Sequence, residues 1–130
     1  MSDKVDITAD FLAHAGYRVL HAGDDYDFTF CALQEGIAID LSGAKLWLTV
    51  KKRSSDRDPG LLQYSSDEVD QIEITLPDEG YFVVHFAAAD TASLEGVWLY
   101  DIKARLASGK LMRFARGSIE FLANLTRAVN

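Results

Sequence analysis

Residues 97–106 have the sequence VWLYDIKARL, in which one parity is consistently apolar. Trp98, Tyr100 and Ile102 share that parity, while the residues between them are more varied. Alternation of this kind over four or more residues is typical of a β-strand that has one face in a core and the other outside. The pattern predicts a strand over 97–107 with the three named side chains facing inward.

The same period of two recurs along the chain, and turn-forming residues such as Asp58-Pro59-Gly60 separate the periodic segments. Strands are therefore expected about every 8–15 residues, which is typical of an all-β sandwich or barrel. The other predicted strands lie at 17–22, 25–33, 37–40, 44–52, 70–76, 81–87 and 110–122.

The sequence also predicts a helical turn, a β-bulge and the extent of the domain. A short helical turn is predicted over residues 88–94. Within 110–122 the apolar parity changes from even to odd, which predicts a β-bulge at Gly117. Residues 17–130 are expected to form a single β-sandwich domain, because one domain commonly has about 100–150 residues. Residues 1–16 are expected to form an N-terminal arm or a short helix.

Consistent parity within each strand also predicts the core. These side chains share the inward face of their strands: Phe28, Phe30, Leu46, Leu48, Val50, Ile72, Ile74, Phe82, Val84, Phe86, Trp98, Tyr100 and Ile102.

Composition excludes several classes of partner. The chain has 130 residues, 20 acidic and 13 basic side chains, and a net charge of −7. Such an acidic protein repels nucleic acid and anionic membranes, so neither is expected as a partner. The first ten residues contain four charged side chains and no apolar run, so no signal peptide is predicted. No apolar run approaches the roughly 20 residues of a membrane span, and we expect a soluble protein made in the cytoplasm.

Two groups of side chains are candidate metal ligands. Asp24, Asp25 and Asp27 could supply oxygen ligands for calcium, but a turn entering a strand is the favoured interpretation. His14, His21 and His85 lack the i,i+2 or i,i+4 spacing of a metal site, and His85 is predicted to lie on an outer, solvated strand face. No metal or cofactor is therefore expected.

The sequence also offers little for catalysis. Cys31 is the only cysteine, which excludes an intramolecular disulfide, and it is interpreted as a small, half-buried hydrophobic residue. No nucleophile, base and orienting group can be assembled from the spacings, so the protein is not expected to be an enzyme. Lys51-Lys52-Arg53 with Arg57 is interpreted as a solvated loop, or alternatively as a contact for an acidic partner.

Large apolar residues also occupy outward positions of several predicted strands. They could form a contiguous patch that marks a protein contact, or the N-terminal arm could cover them within the monomer. The candidate interface residues are Trp47, Tyr81, Val83, Val97 and Leu99, together with Phe11 and Leu12 of the arm.

Three segments resemble a known family. They are GDDYDFTF at 23–30, IDLSGAKLWLTVK at 39–51 and ADTASLEGVWLYDI at 89–102. Their order and turn residues are similar to small immunoglobulin-like β-sandwich proteins of tailed phages and prophages, including the N-terminal domain of baseplate upper proteins. The resemblance covers about residues 20–122 and carries no catalytic motif.

This resemblance implies two antiparallel sheets with immunoglobulin-like topology. It also implies a structural protein of the virion tail or baseplate that contacts other tail or baseplate proteins. Such a protein would be found in the virion and, before assembly, in the cytoplasm of the bacterial host. Since tails have rotational symmetry, a homo-oligomer is expected. The alternative is a bacterial small-molecule or carbohydrate-binding β-sandwich.

Overall fold

The computed structural model describes residues 6–9, 17–52 and 62–123. Within these ranges the strands are β1 (Asp6–Ala9), β2 (Tyr17–His21), β3 (Tyr26–Gln34), β4 (Ile37–Ala38), β5 (Lys45–Lys51), β6 (Leu62–Ser65), β7 (Ile72–Leu76), β8 (Tyr81–Phe86), β9 (Gly96–Arg105) and β10 (Leu111–Leu122). A 3-10 turn spans Pro77–Glu79, and helix α1 spans Ala88–Thr91, inside the predicted helical turn. Among these residues, no helix has the length and apolar character that a membrane span requires.

The strands form two sheets that enclose one hydrophobic core. The first sheet has the order β1-β3-β8-β7, with β4 also paired to β3, and all its pairs are antiparallel. The second sheet has the order β2-β10-β9-β5-β6. When β1, β3, β5, β7, β8, β9 and β10 are lettered A to G, these orders give the ABED and GFC sheets of the immunoglobulin fold. The predicted all-β, immunoglobulin-like sandwich is confirmed.

The prediction that both sheets are antiparallel is wrong for the second sheet. Strand β2 runs parallel to β10, with Tyr17 opposite Ser118 and His21 opposite Leu122. The chain enters the first sheet as β1 and then joins the second as β2, beside the last strand. A period of two places a residue on a face but does not specify the direction of the neighbouring strand.

Part of the predicted N-terminal arm belongs to the sandwich. Residues 6–9 are extended and pair with β3, Asp6 opposite Leu33 and Ala9 opposite Phe30. These four residues are therefore a sheet strand and not a helix. Residues 1–5 and 10–16 lie outside the described part of the chain.

The predicted core is largely confirmed. Eleven of its members are buried, and the other two, Ile74 and Trp98, are half-buried against the same cluster. Phe30 and Phe82, opposite each other on β3 and β8, stack with ring centroids 5.0 Å apart. Each such side chain stabilises the fold by about 1.5–3 kcal/mol relative to an exposed position.

Strand β6 was not predicted, although it adds a large side chain to the core. Tyr64 is buried, and its hydroxyl donates a 2.7 Å hydrogen bond to Asp90 in α1. Burial, together with this carboxylate, raises the pKa of the Tyr64 hydroxyl. The bond ties helix α1 to an edge strand of the second sheet.

Strand β10 contains a bulge, but it does not lie at Gly117 as predicted. Arg113 pairs with Lys103 and Ala115 pairs with Ile102, so Phe114 is the extra residue. The parity changes because both Phe114 and Ala115 lie toward the core. The bulge consequently places Arg116 outward, opposite Asp101.

Candidate functional site

The outer face of the second sheet consists of side chains that alternate with core residues of β5, β9 and β10. Trp47 lies between the buried Leu46 and Leu48 on β5. Trp47 is opposite Lys103, which is in turn opposite Arg113, so the three form a row across the sheet. We call this surface the basic face, formed by Lys45, Trp47, Lys51, Leu99, Lys103, Arg105, Arg113 and Arg116.

Trp47 is half-buried on the basic face, between two cationic side chains and a depression. The Lys45 ammonium lies 5.1 Å from the centroid of the Trp47 ring, and the Arg105 guanidinium carbon lies 5.8 Å from it. Cation–π contacts at exposed sites contribute about 0.5–1 kcal/mol each, so they help to fix the ring. Antibody domains bury a tryptophan on the equivalent strand C, whereas the half-buried Trp47 lies on the opposite, outward side of that strand.

An open depression of about 610 Å³ lies on the basic face. Within it, the Gln63 side-chain amide donates a 3.1 Å hydrogen bond to the Thr49 hydroxyl. Asp101 is the one acidic residue of its lining, and its carboxylate lies 3.6 Å from the Arg113 Nε. The lining residues are Trp47, Thr49, Lys51, Gln63, Leu99, Tyr100, Asp101, Lys103, Leu111, Arg113 and Arg116. The depression combines an aromatic ring, two uncharged polar groups and several cations.

Charge is distributed unequally between the two sheets. The strands of the second sheet contain seven of the chain's 13 lysine and arginine residues. The strands of the first sheet, as far as the structure describes them, contain none. Because the whole chain has a net charge of −7, the basic face is a local reversal of charge that attracts anionic groups.

The five candidate interface residues in the described part of the chain lie on two opposite faces and do not form a single patch. Trp47 and Leu99 line the depression, and Val97 is 47% exposed further along the same face. Tyr81 and Val83 lie on β8 of the first sheet, where they point away from the core. Parity predicts that a side chain faces outward, but it does not say from which sheet.

Several of the residues named from the sequence lie outside the described part of the chain. Phe11 and Leu12 lie outside the described residues, as do Arg53, Arg57 and His14. Sequence reasoning did not single out Lys103, Arg105 or Arg116, although Lys103 and Arg105 alternate with the core residues of the quoted strand. That alternation was a usable signal for Lys103 and Arg105, whereas the position of Arg116 depends on the bulge.

The outer face of the first sheet has a different chemistry. His85 is hydrogen-bonded through both ring nitrogens, with Nδ1 2.6 Å from Asp27 Oδ1 and Nε2 3.4 Å from Glu73 Oε1. The bond to Asp27 is the largest cause of a raised His85 pKa, and Glu73 adds to it against an opposing effect of burial. The predicted outward position of His85 is confirmed by a side chain that is 29% exposed.

The two carboxylates engage opposite sides of the imidazole ring, so their oxygens do not converge on one point. Within the described residues, no group of three histidine, cysteine or acidic side chains could hold a metal ion. The neighbouring Asp25 has a structural partner, because its Oδ1 accepts a 2.6 Å hydrogen bond from the Ala88 backbone N–H. Asp25 thus joins the turn before β3 to helix α1.

The structure also shows what surrounds Cys31 and the first two lysines of the predicted basic loop. Cys31 is buried, more fully than predicted, and its thiol donates to the Glu79 carbonyl at 3.6 Å. Lys51 lines the depression. Lys52 instead donates a 3.1 Å hydrogen bond to the Val97 carbonyl. The two adjacent lysines therefore lie in different environments, Lys51 at the depression and Lys52 against the backbone of β9.

Sequence comparisons with known proteins identify no family for this chain. No protein-family model matches it, and no curated protein sequence matches it. A point mutant of the SrpA adhesin from Streptococcus sanguinis is 15% identical, with 93% of this chain and 58% of that chain covered and a TM-score of 0.49. This chain thus spans less than two thirds of that structure.

Two further solved structures have TM-scores similar to or lower than that of the adhesin. CopC from Methylosinus trichosporium OB3b is 4% identical, with 88% of this chain and 91% of that chain covered and a TM-score of 0.48. AggA, the major subunit of aggregative adherence fimbriae type I from Escherichia coli, is 11% identical, with 92% of this chain and 94% of that chain covered and a TM-score of 0.41. None of the three is described as a phage protein, and likenesses this weak assign no function.

Proposed function

We propose that this chain is a non-enzymatic structural domain of a phage or prophage tail or baseplate that acts through protein–protein contacts. The observation that carries the proposal is the basic face, where Trp47 borders a depression lined with cations in an otherwise acidic chain. The placement in a tail or baseplate rests on the family resemblance of residues 20–122. The chain would lie in the virion after assembly and in the host cytoplasm before it.

A protein contact suits the chemistry of this face. Tryptophan and arginine are enriched among the residues that carry most binding energy at protein interfaces. Clustered positive charge adds selectivity and speeds association with a complementary surface. Since tails are symmetric assemblies, we extend the proposal to self-association of the chain as a homo-oligomer.

One observation favours the alternative of a bacterial small-molecule or carbohydrate-binding domain. The depression of about 610 Å³ falls within the range of roughly 300–1,000 Å³ that is usual for ligand pockets. The uncharged polar pair Gln63 and Thr49 beside Trp47 could serve hydroxyl groups of such a ligand.

Gene context and particle composition separate the two proposals. Reading frames for tail and tape-measure proteins beside this one are expected for a tail component, whereas sugar-metabolism genes are expected for the alternative. Particles purified from the source strain on a density gradient should contain the chain in their tail fraction by immunoblot. A chain that is absent from all particles and encoded among sugar-metabolism genes would contradict the tail proposal.

A further inference from the structure

We propose that the basic face binds an extended acidic segment of a partner protein, with carboxylates at alternate positions along that segment. This inference deepens the proposed contact function and rests on it. The observation that carries it is the cluster of cations on adjacent strands around Trp47, in which Lys103 and Arg105 are two residues apart on β9.

Two cations of the basic face have the spacing of alternate residues on a β-strand. Lys103 and Arg105 are two residues apart on β9, and Lys103 has Arg113 directly opposite on β10. Two residues of extended chain span about 7 Å. A second extended segment that runs along β9 and carries acidic residues at every other position therefore repeats its charge at the same interval.

Several of these cations are available for a partner. Within the described residues, Lys103, Arg105 and Arg116 take part in no ion pair, and all three are exposed. Arg113 has a 3.6 Å contact with Asp101, and Lys45 has a 2.6 Å contact with Asp67. Exposed pairs of this kind are weak, so an incoming carboxylate competes with them at little cost.

The surroundings favour a short protein segment over a longer polyanion. A segment with a few carboxylates contacts only the basic face. A nucleic acid or a long sulfated saccharide extends beyond it, over a chain whose net charge is −7, and is repelled there. The exposed Leu111 and half-buried Leu99 also line the depression, and the apolar side chains of a polypeptide can cover them.

Fluorescence can test the proposal, because the chain has only two tryptophans and Trp47 borders the depression. A Trp98→Phe variant leaves Trp47 as the reporter. The probe is a capped ten-residue peptide of alternating glutamate and serine, and the matched control peptide has glutamine for glutamate. The glutamate peptide should change the Trp47 emission with an affinity that falls as salt is raised, and the glutamine peptide should not.

Paired variants show whether the basic face itself is responsible. Replacement of Lys103 and Arg116 by serine should weaken peptide binding at least about tenfold. The control replaces Lys52 and Lys110 by serine, which removes the same charge from residues outside the basic face, and should weaken binding less than about threefold. Circular dichroism verifies that both double variants remain folded.

Several results would overturn the inference: equal binding of the two peptides, an equal loss in the control variant, or no binding at low salt. Tighter binding of a heparin hexasaccharide or of a single-stranded oligonucleotide than of the glutamate peptide would assign the face to that polyanion instead. A chain that is found in tail particles but ignores the peptide would retain the structural function and lose the acidic partner. Peptide binding by a chain that is absent from particles would retain the acidic partner and contradict the structural function in a tail.

Discussion

The outer faces of the two sheets differ although they alternate with the same core. On the first sheet, Asp27 and Glu73 are hydrogen-bonded to His85. On the second sheet, Trp47 and the surrounding cations border an open depression. Residues that face outward contribute little to the core, so each sheet can acquire its own surface chemistry. We therefore expect changes to buried residues to affect stability most, and changes on the basic face to affect binding.

The largest expected effect comes from the centre of the first sheet. Phe30→Ala removes a fully buried ring that stacks on Phe82, and it should lower the free energy of unfolding by about 3–5 kcal/mol. Urea denaturation measures this loss. Thr29→Ala, on the exposed side of the same strand, is the control and should change stability by less than about 0.5 kcal/mol. Similar losses in the two variants would contradict the facing of β3.

Two glycines in turns of the first sheet distinguish the cost of backbone strain from the cost of a steric clash. Gly36 and Gly80 both have φ of +78°, but a Cβ on Gly80 would lie 2.6 Å from the Ala32 carbonyl oxygen, whereas one on Gly36 meets nothing within 4 Å. Gly36→Ala should cost about 1–2 kcal/mol from the left-handed conformation alone. Gly80→Ala should cost about 2–4 kcal/mol, because strain and clash combine. Thermal unfolding of both variants measures the difference in stability. Equal losses would show that the turn before β8 shifts enough to accommodate the added Cβ atom.

On the second sheet, Trp47→Ala should act on association more than on folding. Loss of the cation–π contacts should cost about 1–2 kcal/mol of stability, whereas self-association should weaken about tenfold or more if Trp47 anchors the contact. Sedimentation velocity over a concentration series measures the association. Tyr81→Ala, on the opposite sheet, is the matched aromatic control and should leave it unchanged. A parent protein that is monomeric at every concentration would refute self-association, and a larger effect of Tyr81→Ala would move the contact to the first sheet.

The smallest expected effect is a pH dependence that belongs to the first sheet. Hydrogen bonding to Asp27 raises the pKa of His85 above its ordinary value, which is about 6.5 in unfolded chains. The protonated histidine is bound more tightly in the folded state. Its stabilisation is therefore complete below about pH 6.5 and is lost as the pH rises through the folded-state pKa. Because the pair is partly exposed, the contribution should stay below about 1 kcal/mol.

Urea midpoints of the parent and of Asp27→Asn, measured from pH 5.5 to 8.5, isolate this contribution. The parent should be the more stable protein at low pH, and the difference should shrink as the pH rises. A difference that does not change with pH would show that the hydrogen bond stabilises the neutral imidazole equally.

Alternation along single strands made much of the fold predictable. The buried face of β3, β5, β8 and β9 follows from residues two apart, and the short helical turn follows from local composition. Strand β6 escaped prediction because four residues carry too little periodicity. The parallel pairing of β2 and the position of the bulge depend on neighbouring strands, which a local pattern does not specify.

The candidate site was predictable only in fragments. Trp47 and Leu99 were found from their parity, and the depression beside them contains both. Lys103, Arg113 and Trp47 become neighbours through pairing of β5, β9 and β10, which are distant in sequence. The contrast in charge between the sheets emerges only when the strands are sorted into those sheets.

The parallel pairing of β2 with β10 has a mechanical consequence. These strands lie near opposite ends of the described chain, and they are joined from Tyr17 and Ser118 to His21 and Leu122. Tension applied between the start of β2 and the end of β10 runs along both strands and loads their hydrogen bonds together, in shear. An antiparallel hairpin pulled at its two open ends would instead unzip one bond at a time. The β2–β10 pair therefore resists tension along its length more strongly than an antiparallel hairpin pulled open at its ends.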